Sequence, residues 1–322
     1  MLSGLSLAAM AMLMLCGVAL DMLLGEARRW HPLVGFGNLA ALLERRLNRP
    51  RWGMLRGAGA WTLAVLPPVA MSVWLTNAGN GPAMGIGAAL VHVLMLYFAL
   101  GLRSLRDHNL PIAEALQRGD LAQARTLTAR IVSRDTAAED GTGLAKASTE
   151  SLLENGNDAV FGTLFWFAVG GGPGALLFRL ANTLDAMWGY KNARLRRFGW
   201  AAARIDDALN LIPARLTALS YVLLAGDART AWRCWRSQAP AWPSPNAGPV
   251  MASGAGALGI ALGGSARYDG IDEQRPPLGA GGAPQAADIT RAWRLVVHTT
   301  VLWLAALGTI AAAATAWSVL HA

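Results

Sequence analysis

Apolar residues run almost unbroken over roughly residues 4–20, 57–78, 83–101 and 295–320. Each run approaches or exceeds the roughly 20 residues a helix needs to cross a hydrocarbon core of about 30 Å, so four membrane-spanning helices are predicted. Trp30, Trp52, Trp61, Trp74, Trp293 and Trp317 stand near the ends of these runs, where amphipathic rings prefer the interface. Between 102 and 130 the rhythm changes to that of an amphipathic helix pair, with Gly119-Asp120 as its turn and Leu121, Ala124, Leu127 and Thr128 on one face. That pattern predicts a water-facing helical hairpin. Residues 159–180 are apolar but contain Gly170-Gly171-Gly172-Pro173-Gly174, which ends a helix and argues for a broken or re-entrant segment. The runs 208–226 and 248–264 are ambiguous, because non-helical backbone at membrane depth is tolerated beside a cavity or under protein cover. Residues 265–288, rich in Gly, Pro and charge, read as a mobile polar loop. The expected fold class is all-α: a polytopic integral membrane protein with about four clear spanning helices, broken or re-entrant helices and a cytoplasm-facing helical region. It is read as one membrane-embedded domain, 1–322, with a water-facing helical portion at 102–158.

Composition agrees with a membrane class: 54% of residues are hydrophobic and 15% charged, with mean hydropathy +0.34. The net charge of +8 comes from arginines scattered among apolar segments, not from a basic face of the kind that binds nucleic acid. Residues 21–56 carry seven arginines against three acids, so the positive-inside rule places that loop and 102–290 in the cytoplasm and both termini outside. The first run has no Lys or Arg before it and no small-x-small cleavage site, and is expected to be an uncleaved anchor. Cys16 and Cys234 give no disulfide framework and read as packing residues.

Polar residues concentrate between roughly 130 and 215. Ionisable groups near a membrane are costly and normally face one another, water or a ligand. Glu150, Glu154 and Asp158 are spaced i, i+4, i+8 and would line one stripe of a helix. A divalent cation, an amine substrate or arginines would relieve their repulsion; a solvated face is the plain alternative. Asp206, Asp207 and Asn210 offer hard oxygens that suit Mg²⁺, the alternative being a cap or an ion pair with Arg204. Lys191 is one of only two lysines, with Lys146, among 28 basic residues. A compact ammonium suits a point contact to phosphate, whereas Arg134, Arg204 and Arg215 can grip carboxylate or phosphate bidentately; interface snorkelling is the alternative for any one of them. No Walker loop, dinucleotide-binding glycine motif, nucleophile elbow or His-Glu-x-x-His is present. His92 and His298 sit in apolar runs, where a packing role is expected.

The stretch Asn182-Thr183-Leu184-Asp185-Ala186-Met187-Trp188-Gly189-Tyr190-Lys191-Asn192, followed by residues 198–216 with Arg204-Ile205-Asp206-Asp207-Ala208-Leu209-Asn210, resembles the signature of the cobalamin-biosynthesis CobD/CbiB family. Leu20-Asp21 with Trp30-His31-Pro32, Arg134-Asp135-Thr136, Glu150 with Glu154-Asn155, and Ser244-Pro245-Asn246 extend the likeness over nearly the whole chain. The sequence departs from the family pattern at Glu26-Ala27 and over 157–163. The resemblance implies an ATP- and Mg²⁺-dependent ligase that joins adenosylcobyric acid to aminopropanol phosphate, or to aminopropanol, in the bacterial inner (cytoplasmic) membrane. It would work at the cytoplasmic face, beside other cobalamin-pathway membrane enzymes and without nucleic acid. It implies substrate contacts from Asp21, His31, Asp135, Asn155, Asn182, Asp185, Tyr190, Asn192 and Asn246. Catalytic work would fall to Glu150, Glu154, Asp158, Lys191, Arg134, Arg204 and Arg215, and metal binding to Asp206, Asp207 and Asn210. Phosphate is assigned to the cationic elements and the amine to the acidic stripe, which would serve as base or ammonium clamp, Glu154 being the residue tested as base. A non-catalytic signalling or regulatory membrane protein of the same fold is the rival from another class; a transporter fits less well, since no inverted halves are evident.

Overall fold

The computed structural model describes residues 4–27, 31–77, 85–268 and 270–321. Trp30 and the first residues of the third apolar run lie outside them. Twelve α-helices are found among the described residues: α1 Leu7–Leu24, α2 Pro32–Leu47, α3 Gly53–Asn77, α4 Ile86–Ala99, α5 Leu102–Gln117, α6 Leu121–Thr128, α7 Gly141–Gly156, α8 Gly162–Trp188, α9 Trp200–Leu224, α10 Ala228–Gln238, α11 Ala247–Leu258 and α12 Ala286–Leu320. Five stretches are long and apolar enough to cross a membrane: Leu7–Leu24, Gly53–Asn77, Ile86–Gln117, Gly141–Trp188 and Ala286–Leu320. The four expected spans are among them, and the chain is an all-α polytopic membrane protein with one small β-hairpin.

Local chemistry sets the boundaries. Ser6 caps α1 by accepting from the Ala9 amide at 3.2 Å. His31 caps α2 through Nδ1, which accepts from the Leu33 amide at 3.2 Å, and Pro32 at the first helical position has no amide to satisfy. Gly119, with φ 74°, turns α5 into α6, whose first turn Asp120 caps. The break expected within 159–180 is present: Gly171 has φ 63° and ψ −152° inside α8, and Pro173 follows. His92 on α4 is buried and accepts from the Gly172 amide at 2.9 Å through Nδ1, which satisfies a donor that the break removes from the helical ladder. The expected packing histidine is thus also a cap for a broken helix. A second irregularity, a π-helical turn at Asn157–Phe161, joins α7 to α8.

The chain divides into two compact units, one formed by Met1–Gly101, Gly162–Asn210 and Leu304–Ala322, the other by Leu102–Phe161 and Leu211–Trp303. In the first, Phe36, Ala60, Trp61, Leu184, Trp188, Leu195 and Phe198 form a buried core, and α3 approaches so closely that a Cβ on Gly57 would collide with the Phe198 carbonyl. In the second, α10 packs on α11, where a Cβ on Gly256 would lie 2.8 Å from the Ala231 Cα.

Three sequence expectations change. Residues 265–288 are not a loop: β1 Ala261–Tyr268 and β2 Ile271–Gly279 form an antiparallel hairpin that pairs Ala266 with Glu273, followed by the start of α12. Pro276, Pro277 and the glycines hid it, because prolines are tolerated where a strand end needs no donor. The ambiguous 208–226 belongs to α9, a helix that carries Pro213 inside it. Cys16 is exposed on α1, not packed, whereas Cys234 is buried; both are free thiols.

Candidate functional site

The family-like segment folds as the end of α8, an irregular stretch from 189 to 199, and the first half of α9. The Gly189 amide donates to the Asp185 carbonyl at 2.7 Å and the Gly199 amide to the Leu195 carbonyl at 2.7 Å. A Cβ at Gly189 would run into the Asp185 side chain, and one at Gly199 into the Trp188 carbonyl. Asn192 caps the turn between them, its Oδ1 accepting from the Leu195 amide at 2.9 Å. These approaches set α9 against α8 so that Asp206, only 7% exposed, meets Asn182, whose Nδ2 donates to Oδ1 at 3.4 Å. Asn210, one turn on, donates to the other oxygen of Asp206 at 3.2 Å. Asp207 points about 100° further round the helix and meets Arg204 at 3.5 Å. Burial raises the Asp207 pKa, against the pull of Arg204 and Lys191. Tyr190 and Lys191 are exposed.

The donor set fits Mg²⁺ held partly by a substrate. Among the described residues no group of three or more His, Cys, Asp or Glu side chains gathers as a self-sufficient metal site. Mg²⁺ is commonly bound through one or two carboxylates, waters and substrate phosphates; Asp206 and Asp207 are carboxylates of that kind, and the amides of Asn182 and Asn210 brace Asp206.

The first carboxylate of the acidic stripe is committed to an ion cluster. Glu150 on α7 is 6% exposed and lies between two guanidiniums. Arg275 on β2 donates to both of its oxygens, at 3.0 and 3.1 Å, and Arg134 Nη1 stands 3.5 Å away. The Gly263 amide adds a third donor at 2.8 Å, while Lys146 holds the Gly263 carbonyl at 3.0 Å. Burial lowers the Arg134 pKa and Glu150 opposes that shift. Arg275 also lies over the Trp242 ring, 5.7 Å from its centroid. Glu154 and Asn155 are partly buried one turn on, Asn155 donating to the Ser151 carbonyl at 3.0 Å. Asp158 stands within the π-turn Asn157–Phe161; its Oδ1 accepts from Asn157 at 3.0 Å.

The other expected residues are dispersed. Asp135 takes the hairpin's tip, accepting from the Gly270 amide at 2.7 Å. Arg215 donates to Asn246 at 2.7 Å. Asp21 is buried in α1, and its carbonyl accepts from Gly25 at 2.8 Å. His31 caps α2 as described. Arg275, Lys146 and Trp242 were not singled out from the sequence as site residues. Arg275 lay in the supposed loop, where Ile271-Asp272-Glu273-Gln274-Arg275 shows no apolar-polar alternation to mark a strand.

The chain matches the CobD/Cbib protein family over residues 14–296. It is 58% identical over 290 residues to the cobalamin biosynthesis protein CobD of Stutzerimonas stutzeri, covering 89% of this chain and 93% of that protein. The CobD of Chromobacterium violaceum is 56% identical over 293 residues (89% and 92%), and that of Mycobacterium tuberculosis 40% over 289 residues (86% and 88%). No solved structure matches the chain.

Proposed function

Since this chain belongs to the CobD/Cbib family, whose relatives are named for cobalamin biosynthesis, we propose that it is an ATP- and Mg²⁺-dependent amide ligase of that pathway. It joins the free carboxyl of adenosylcobyric acid to aminopropanol phosphate or aminopropanol, at the cytoplasmic face of the bacterial inner membrane. The observation that carries this reading is Asp206, a buried carboxylate held by Asn182 and Asn210, next in sequence to Asp207, on which Arg204 and Lys191 bear electrostatically.

A carboxylate and an ammonium do not condense unaided. In the proposed route the substrate carboxylate attacks the γ-phosphorus of ATP and ADP leaves. The amine nitrogen then attacks the acyl carbon, inorganic phosphate leaves, and the ammonium proton passes to a base. Bound Mg²⁺ would neutralise phosphate charge. Asp206 and Asp207 would hold it, and Lys191 and Arg204 would meet phosphate oxygens. Glu154, partly buried and one turn beyond the neutralised Glu150, is assigned the role of base in this scheme. Arg134 and Glu150 support the fold around them instead of meeting substrate. The test is incubation of purified, detergent-solubilised protein with adenosylcobyric acid, aminopropanol phosphate, ATP and Mg²⁺, followed by mass analysis of the corrinoid. Formation of the amide supports the reading; no product with either amine sinks it in favour of a non-catalytic role.

A further inference from the structure

Helices α2, α3, α4 and α8 line a half-open cavity of about 340 Å³ within the first compact unit. Its walls include Phe36, Leu94, Met95, Phe98 and Leu176, and Arg179 is the one ionisable residue among those lining it. Three of the four lining helices lie in stretches able to cross a membrane, so the cavity is a space between membrane helices. His31 marks the same end as Arg179. Its ring meets Phe98 edge-on at 5.7 Å between centroids, and Arg179 is near enough to bear on its protonation.

The volume falls in the range of small-ligand pockets, but such pockets usually carry several converging polar groups. This one has hydrocarbon walls and a single guanidinium. A nucleotide or a corrinoid would leave many of its own polar groups unpaired against these walls. A hydrocarbon chain loses nothing there, and a phosphodiester at its end meets the cation with charge-assisted bonds; basic pockets between membrane helices hold anionic headgroups in this way. We propose that the cavity is a binding site for an anionic phospholipid, with an acyl chain between α3, α4 and α8 and the headgroup phosphate on Arg179. This is independent of the ligase reading.

The test is native mass spectrometry of the full-length protein in detergent, titrated with phosphatidylglycerol or phosphatidylcholine of identical chains. Phosphatidylglycerol should bind roughly fivefold more tightly, the preference expected of one basic side chain for a net-anionic headgroup over one whose phosphate charge is offset by choline. Arg179→Gln should abolish that preference and Arg179→Lys should retain part of it. Leu176→Trp, which fills the cavity, should weaken both lipids; if it does not fold, Leu94→Trp at a half-exposed position makes the same measurement. Equal binding of the two lipids, unchanged binding in the filled variant, or displacement of the lipid by millimolar inorganic phosphate would overturn the proposal.

Discussion

Glu150 on α7 and Arg275 on β2, 125 residues apart, share two nearly equal hydrogen bonds of 3.0 and 3.1 Å. Arg134 stands on the same carboxylate, so removing Glu150 would leave two guanidiniums buried together without their anion. Glu150→Ala should destabilise the protein by about 3–5 kcal/mol, the usual result of breaking a buried pair from one side. Arg275→Met should cost less, since Arg134 still pairs. Thermal unfolding in detergent checks both, and equal losses for the two variants would contradict the asymmetry.

Asn182 braces Asp206 from the neighbouring helix. Outer-shell partners of this kind are worth about 10–100-fold in metal affinity, so Asn182→Ala should raise the Mg²⁺ concentration needed for activity by that factor. Asp206→Asn should abolish activity in a folded protein. If Mg²⁺ dependence is unchanged in both, these residues hold helices together and nothing else.

Gly199 and Gly59 make a matched pair of glycine tests. A Cβ at Gly199 meets the Trp188 carbonyl, whereas one at Gly59 on α3 meets nothing within 4 Å. Gly199→Ala should cost about 1–3 kcal/mol or more, because backbone must move. Gly59→Ala should be neutral or stabilise by up to about 1 kcal/mol through helix propensity. Melting temperatures of the two variants decide it.

His31 caps α2 only while Nδ1 is unprotonated. Burial lowers its pKa, partly offset by Glu26 and reinforced by Arg179. The folded form therefore binds its proton less readily than the unfolded chain, and the cap's contribution is complete above about pH 6.5 and fades as pH falls through the lower folded value. The protection factor of the Leu33 amide, with the intrinsic exchange rate divided out, should fall as pH drops below the ordinary imidazole range. In His31→Asn, which caps without titrating, that loss of protection should vanish.

Glu154→Gln should depress turnover strongly while ATP still binds, because the lost charge is not one that a nucleotide contacts. Removing a base also moves the acidic limb of the pH profile. Near-normal turnover with an unmoved limb would return Glu154 to a polar helix face.

The spanning helices were legible because a hydrocarbon solvent demands long apolar runs, and the break at Gly171 because glycine and proline have local costs that a sequence displays. The signature from 182 to 216 was legible as a pattern, and its two glycines have a steric reason that only the fold supplies. What stayed hidden depended on long-range pairing. Arg275 looked like one more charge in a loop, since nothing local says that Glu150 lies opposite it. The acidic stripe shows the same limit: its spacing puts Glu150 and Glu154 one turn apart on α7, but only the fold reveals that Arg275 and Arg134 take up the first of them.

The hairpin is fastened at its root by Glu150 and at its tip by Asp135, whose carboxylate accepts from the Gly270 amide. Polar, glycine-rich stretches are the usual choice for inserting epitope tags or truncated reporters when the sidedness of a membrane protein is mapped. Here an insertion between 263 and 275 would pull on the ion pairs of α7, so a silent reporter would record misfolding, not orientation. Sidedness is better read from the 48–52 connection or from single cysteines at exposed positions such as Arg196, which ask nothing of the hairpin.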